Sequence, residues 1–191
     1  MTLLLRPRIL LLAALAWPAL AAEGPFFVTY THQMEEPGNL EIATRNVTGK
    51  PADGNRFFGV TTELEYGVNA WWTTEFYLEG QSTRHDGALF TGYRWENRFR
   101  MLRREHWINP VLYLEFEDIN EGNRSLLEVV GHDGQDDLTG SVATAGQEKK
   151  RELEAKLILS SNLRGWNISE NLIAEKNVRH APFEFGSLLS G

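Results

Sequence analysis

An alternation of period two constrains this chain more than any other feature. From Phe57 to Val68, the residues Phe58, Val60, Thr62, Leu64 and Tyr66 share one parity, and Gly59, Thr61, Glu63 and Glu65 share the other. Successive side chains of a strand point to opposite faces, so this pattern predicts a strand with one apolar and one polar face. The next segment repeats it: Ala70, Trp72, Thr74, Phe76 and Leu78 alternate with Thr73, Glu75, Tyr77, Glu79 and Gln81. Gly67-Val68-Asn69 between the two reads as a compact turn.

The same period continues downstream. Leu89, Tyr93, Trp95, Phe99 and Met101 oppose Gly92, Arg94, Glu96, Arg98 and Arg100. Leu112, Leu114 and Phe116 oppose Tyr113, Glu115 and Glu117, and Leu153, Ala155, Leu157, Leu159 and Leu163 oppose Glu152, Glu154, Lys156, Ser160 and Asn162. Further strands are expected at Ile168 to Asn177, from Leu40 and from Phe183, giving about eight in all. Short connections fall at 67–69, 103–109 and 164–167. Longer polar ones fall at 48–56, 82–87, 119–150 and 178–182, the third holding an apolar patch, Leu126-Leu127-Glu128-Val129-Val130, that reads as a small hairpin. Short turns at every second connection are what an up-and-down meander requires.

The start of the chain has a different character. Arg6 and Arg8 precede an apolar run from Ile9 to Trp17, Pro18 ends it, and Ala19-Leu20-Ala21 is a small-x-small site. That order predicts a signal peptide over residues 1–21; the run is too short for a membrane anchor. The expected mature domain is 22–191. Losing Arg6 and Arg8 without any acid takes the net charge from −7 to about −9, which argues against a nucleic-acid partner. There is no cysteine, which excludes thiol catalysis, disulfides and thiolate metal sites in a chain bound for a disulfide-permissive compartment.

A soluble barrel with its apolar face inward has the same period. Three features favour a transmembrane β-barrel with the apolar face outward. The strands approach the ~9–11 tilted residues that cross a bilayer, whereas globular strands cluster near five or six. Short turns on one rim and long loops on the other match the two ends of outer-membrane barrels. Tyr66, Trp71, Trp72, Trp107 and Trp166 gather beside the short turns, and Tyr66, Trp72, Trp107 and Trp166 are expected to form an aromatic girdle at the lipid headgroups. The polar parity then lines the interior: Glu63, Glu65, Glu75, Glu79, Arg94, Arg98, Arg100, Glu115, Glu117 and Lys156. So many charges cannot line a dry apolar core.

Chemistry is harder to find. A Ser–His–acid hydrolase needs all three groups near one rim. His85 with Ser82 and Asp86, or His132 with Asp133, are the sequence candidates, but Ser125, Ser141, Ser160 and Ser161 lie in no nucleophile motif. The i, i+2 pairs Glu63/Glu65 and Glu115/Glu117 share a face, as repeated lumen charges would. Asp133-Gly134-Gln135-Asp136-Asp137 lacks the spaced ligands of a calcium loop. The expectation is therefore no cofactor, no metal and no catalysis.

On these residues the chain resembles the bacterial outer-membrane β-barrel proteins of porin-like or unassigned function. The resemblance is carried by the signal peptide, by Leu64-Glu65-Tyr66-Gly67-Val68-Asn69, by Asn109-Pro110-Val111-Leu112-Tyr113-Leu114-Glu115, and by Gly165-Trp166-Asn167-Ile168. It implies an antiparallel up-and-down transmembrane barrel in the outer membrane, passive permeation or a structural envelope role, and as partners the outer-membrane lipid and the barrel-assembly machinery. Such barrels finish on an aromatic residue, whereas this chain stops at Leu188-Leu189-Ser190-Gly191. The expectation is the N-terminal part of a longer barrel; the alternative is a closed eight-stranded barrel whose side chains fill it. The rival functional readings are an outer-membrane enzyme acting on lipid or lipopolysaccharide, and a soluble periplasmic β-sandwich that binds a ligand.

Overall fold

A computed structural model describes residues 29–50, 54–120, 122–125, 149–179 and 182–191. The signal peptide, the 126–130 patch, His132 and His180 lie outside the described residues. Eight strands follow one another: β1 (Leu40–Gly49), β2 (Phe57–Asn69), β3 (Trp72–Thr83), β4 (Gly87–Arg100), β5 (Asn109–Asn120), β6 (Lys149–Leu163), β7 (Trp166–Asn177) and β8 (Glu184–Ser190). Each pairs antiparallel with the next in one sheet of order β1 to β8, and the described residues contain no helix. β1 and β8 are the two edges, so the sheet is an open meander.

Strand register follows the alternation. Leu40 opposes Tyr66, Leu64 opposes Phe76, Phe76 opposes Trp95, Trp95 opposes Phe116 and Phe116 opposes Leu153, which puts the apolar parity of each strand on one face. Two connections tighten further than expected. β2 and β3 meet through Ala70 and Trp71 alone, and β6 and β7 through Arg164 and Gly165. These last two both adopt positive φ (50° and 89°), the conformation that a two-residue hairpin turn demands and that suits glycine at the second position. The 82–87 connection is also tight, because β3 continues to Thr83 and only residues 84–86 turn. The long-loop rim therefore carries one short turn.

The register slips at two places, at Gly67/Asn69 beside the β2–β3 turn and within β4. Glu79 pairs with Gly92 but Gly80 with Phe90, so Thr91 is an extra residue in β4. This bulge reverses parity. Leu89 pairs with Gln81 on the polar face, and Phe90, 60% exposed, takes the outward position that simple alternation gives to Leu89.

Burial is inverted relative to a water-soluble protein. Among the described residues the buried apolar side chains are Tyr77, Val111, Tyr113, Ile119, Ile158 and Ile173, and they are outnumbered by buried Thr, Ser, Asn and Glu. The exposed side chains include Ile42, Phe58, Phe76, Leu78, Trp95, Leu114, Leu153 and Leu172. The sheet curls around its polar face and leaves its apolar face outside.

Candidate functional site

The inner face has two components, a row of carboxylates and a strap that crosses it. The row follows from register. Glu41 opposes Glu65, Glu65 opposes Glu75, Glu75 opposes Glu96, Glu96 opposes Glu115, Glu115 opposes Glu154, Glu154 opposes Glu175 and Glu175 opposes Glu184. Every strand thus contributes one glutamate to a single line across the sheet. Like charges directly opposite one another destabilise a sheet, so this line must be offset from neighbouring rows.

Arg98 and Lys156 supply the offset on one side and Arg94 on the other. The Arg98 guanidinium contacts the carboxylates of Glu65 and Glu75 and lies 3.2 Å from that of Glu96. Arg94 reaches out of the row to Glu79 at 3.1 Å and into it to Glu115 at 3.4 Å. Lys156 Nζ is 2.6 Å from Glu154 and sits over the rings of Tyr113 and Tyr30 at 4.3 and 4.8 Å. Arg94 also lies 4.2 Å from the Tyr77 ring centre, and Tyr77 donates its phenolic hydrogen to Glu75. Glu79, Glu96 and Glu115 are buried, so these contacts act at low dielectric, where a missing partner is costly.

The strap is residues 29–39. Thr29 Oγ1 meets Ser190 Oγ of β8 at 2.6 Å. The Tyr30 amide donates to Asn171 of β7 at 2.8 Å, and its hydroxyl donates to Glu96 of β4 at 3.0 Å. His32 bonds Ser160 of β6, and Arg98 and Arg100 of β4 donate to the carbonyls of Gln33 and His32. The Glu35 amide donates to Thr73 of β3, and the Gly38 amide to the carbonyl of Gly67 on β2. The strap therefore runs over the concave face from the last strand to the second. A side chain at Gly67 would collide with the Glu36 carbonyl, so glycine is what lets the strap leave the sheet there. Burial, and then the charges of Glu96, Glu115 and Glu75, raise the Tyr30 phenol well above its ordinary range, so it stays a hydrogen donor to the row.

All ten expected interior residues lie on this face. Glu65, Glu75 and Glu115 belong to the row. Glu63 and Glu117 stand in the next row and Glu79 one row beyond, Glu63 bonding Arg45 at 3.1 Å. Arg100 sits at the short-turn end, holding the strap. Glu96 shares parity with Arg94 and Arg98 and is thus legible in the sequence, yet its place at the centre of the row is not. The strap has no periodic signal. Of the expected girdle, Trp107 and Trp166 are 74% and 70% exposed at the short-turn rim, and Tyr66 is exposed there too. Trp72 stacks on Phe99, and its indole donates to Asn97 at 3.0 Å. Trp95, further from that rim, likewise donates to Thr74 at 3.0 Å. The protein itself satisfies these outward N–H groups.

The suggested His85 site does not assemble. Asp86 accepts from Asn55 and Thr83, while Ser82 is exposed on the outward parity. A different polar node is present at the short-turn end. His32 Nδ1 is 2.8 Å from Ser160 Oγ, and His32 Nε2 is 3.1 Å from Glu105 Oε1, which also accepts from Asn162 at 3.1 Å. The hydrogen bonds from His32 and then Asn162 hold the Glu105 carboxyl below the ordinary carboxylate range. A carboxyl lowered by folding stabilises above its unfolded value, and that contribution is lost as pH falls through the folded one. Anchoring of the strap should accordingly weaken below about pH 4, read as faster amide hydrogen exchange at Thr31 to Gln33. Glu105→Gln should remove that acid dependence.

The molecule is thus an all-β antiparallel meander with inverted polarity and a strapped, charged concave face. No family model, curated protein or solved structure matches the chain.

Proposed function

We propose that this chain forms the wall of a bacterial outer-membrane β-barrel whose interior is filled, giving a structural envelope protein in place of a freely open porin. The observation that carries the reading is the inverted polarity: buried charges inside, and an outer face of Leu, Ile, Phe, Tyr and Trp. Water would select against so large an apolar surface, whereas hydrocarbon selects for it. The outward faces of β1 to β4 carry no charged residue between Leu40 and Phe99, and the paired indoles of Trp72 and Trp95 need no water. In hydrocarbon the free backbone groups of β1 and β8 also need partners. The two edges run in opposite directions, as antiparallel closure requires. Lipid and the barrel-assembly machinery are the partners this reading implies, and a cleaved signal peptide the route.

The filled interior separates this reading from passive permeation. Glu79, Glu96, Tyr113 and Ile158 are fully buried; Tyr30 and Met34 of the strap pack against the Tyr113–Ile158 cluster, and the Tyr30 hydroxyl bonds Glu96. Protein expressed with its leader should be recovered in outer membranes and shift on a gel when boiled. Recovery in the soluble periplasm would overturn the membrane reading in favour of a binding sandwich. In planar bilayers the inserted protein should show no steady conductance; large stable currents would establish a pore instead. Brief openings should favour cations, because the row is acidic.

A further inference from the structure

We propose that Ser160, His32 and Glu105 form a serine-hydrolase relay, giving this chain an acyl-transfer activity on small carboxylic esters. Three separate segments bring the groups together: β6 supplies Ser160, the strap supplies His32, and the 101–108 turn supplies Glu105. The distances, 2.8 Å from Ser160 Oγ to His32 Nδ1 and 3.1 Å from His32 Nε2 to Glu105 Oε1, are those of a nucleophile, its base and the acid that orients the base. The imidazole is turned relative to the usual arrangement, Nδ1 facing the nucleophile. With Nε2–H donated to Glu105, Nδ1 is left as the acceptor for the Ser160 proton.

The surroundings fit the same chemistry. Asn167 Nδ2 lies 3.4 Å from Ser160 Oγ, placed to donate to an oxyanion forming beside it. Asn167 is held in turn by Asn162 at 2.6 Å and by the Ser169 hydroxyl at 3.1 Å. Ser160 is fully buried, but the site lies at a rim: the Glu105 side chain is 61% exposed, and Asn162 is exposed as well. Neither the carboxylate row nor the outer face needs this constellation.

The reaction balances with water as the only co-reactant. Ser160 Oγ bonds to the ester carbonyl carbon as His32 Nδ1 takes its proton. The ester C–O bond breaks, and His32 passes that proton to the departing alkoxide. Water then adds to the acyl carbon, giving its proton to His32. Ser160 Oγ leaves and recovers that proton, and the carboxylic acid is released. Ser160 and His32 are the catalytic residues, and Glu105 is a positioning residue.

The test is covalent labelling of the full chain, folded in detergent, by a small alkyl fluorophosphonate, with the site read by peptide mass spectrometry. Hydrolysis of p-nitrophenyl butyrate is followed in parallel. Label is expected on Ser160, at a rate that rises with pH on loss of one proton. Ser160→Ala should abolish it, and Ser82→Ala, on the outward face, should not. Glu105→Gln, at an exposed position that leaves the strands intact, should slow labelling about tenfold or more and alter its pH profile. An unlabelled Ser160 in folded wild-type protein overturns the proposal. So does a Glu105→Gln rate and pH profile equal to wild type. Neither outcome depends on membrane insertion, so the barrel reading stands or falls separately.

Discussion

Replacing Arg98 by alanine should destabilise the folded protein by about 3–5 kcal/mol, the cost of removing one member of a buried charge cluster. Arg98 contacts Glu65 and Glu75 and lies 3.2 Å from Glu96, three successive members of the carboxylate row. Without it, three directly opposed carboxylates share a low-dielectric face with no cation between them. It also donates to the Gln33 carbonyl at 3.3 Å, so the strap loosens at its midpoint. The measurement is the urea midpoint in detergent or lipid. Arg98→Ala combined with Glu75→Gln should recover part of the loss, because the substitutions share one network and are not additive. A single-variant loss under about 1 kcal/mol would mean that the cluster is solvated.

Leu114→Arg should be nearly as damaging, for the opposite reason. Leu114 lies outward in β5, midway between Pro110 and Asp118, and is 42% exposed. In a soluble protein an exposed Leu→Arg change is close to neutral. In a membrane wall a midplane arginine costs about 2–4 kcal/mol, falling to about 0–1 near the interfaces. Trp107→Arg, at the short-turn rim, should therefore cost much less than Leu114→Arg. Equal and small effects at both positions would argue for a water-facing sheet.

Much of this fold is legible from parity alone, because a strand with two different faces leaves a local trace in its residues. Glu63, Glu65, Glu75, Glu79, Glu115 and Glu117 could be assigned to one face with no knowledge of their partners. What parity cannot supply is register. That Glu65, Glu75 and Glu115 stand in one row while Glu63, Glu79 and Glu117 stand outside it depends on turn lengths and on the Thr91 bulge. A single inserted residue leaves almost no compositional trace, which is why Leu89 and Phe90 exchange faces relative to simple alternation. The strap and the Ser160–His32–Glu105 node lie further from view. Thr29 to Asn39 has no period, since each residue answers to a different strand, and the node joins positions up to 128 apart in sequence. His32 in isolation looks like any polar histidine near a chain start.

The strap also orders events in time. Its contacts span sequence separations of 161 at Thr29, 141 at Tyr30 and 128 at His32. Glu35 and Gly38 can meet β3 and β2 early, but Thr29 and the His32 ring have no such partner until β8 and β6 exist. Loops of that length close late and slowly. The first residues of the strap therefore wait while the meander grows hairpin by hairpin, each held by its own local turn. Docking of Thr29 and Tyr30 on β8 and β7 would then be the final step of folding, tying the last strands to the first across the concave face.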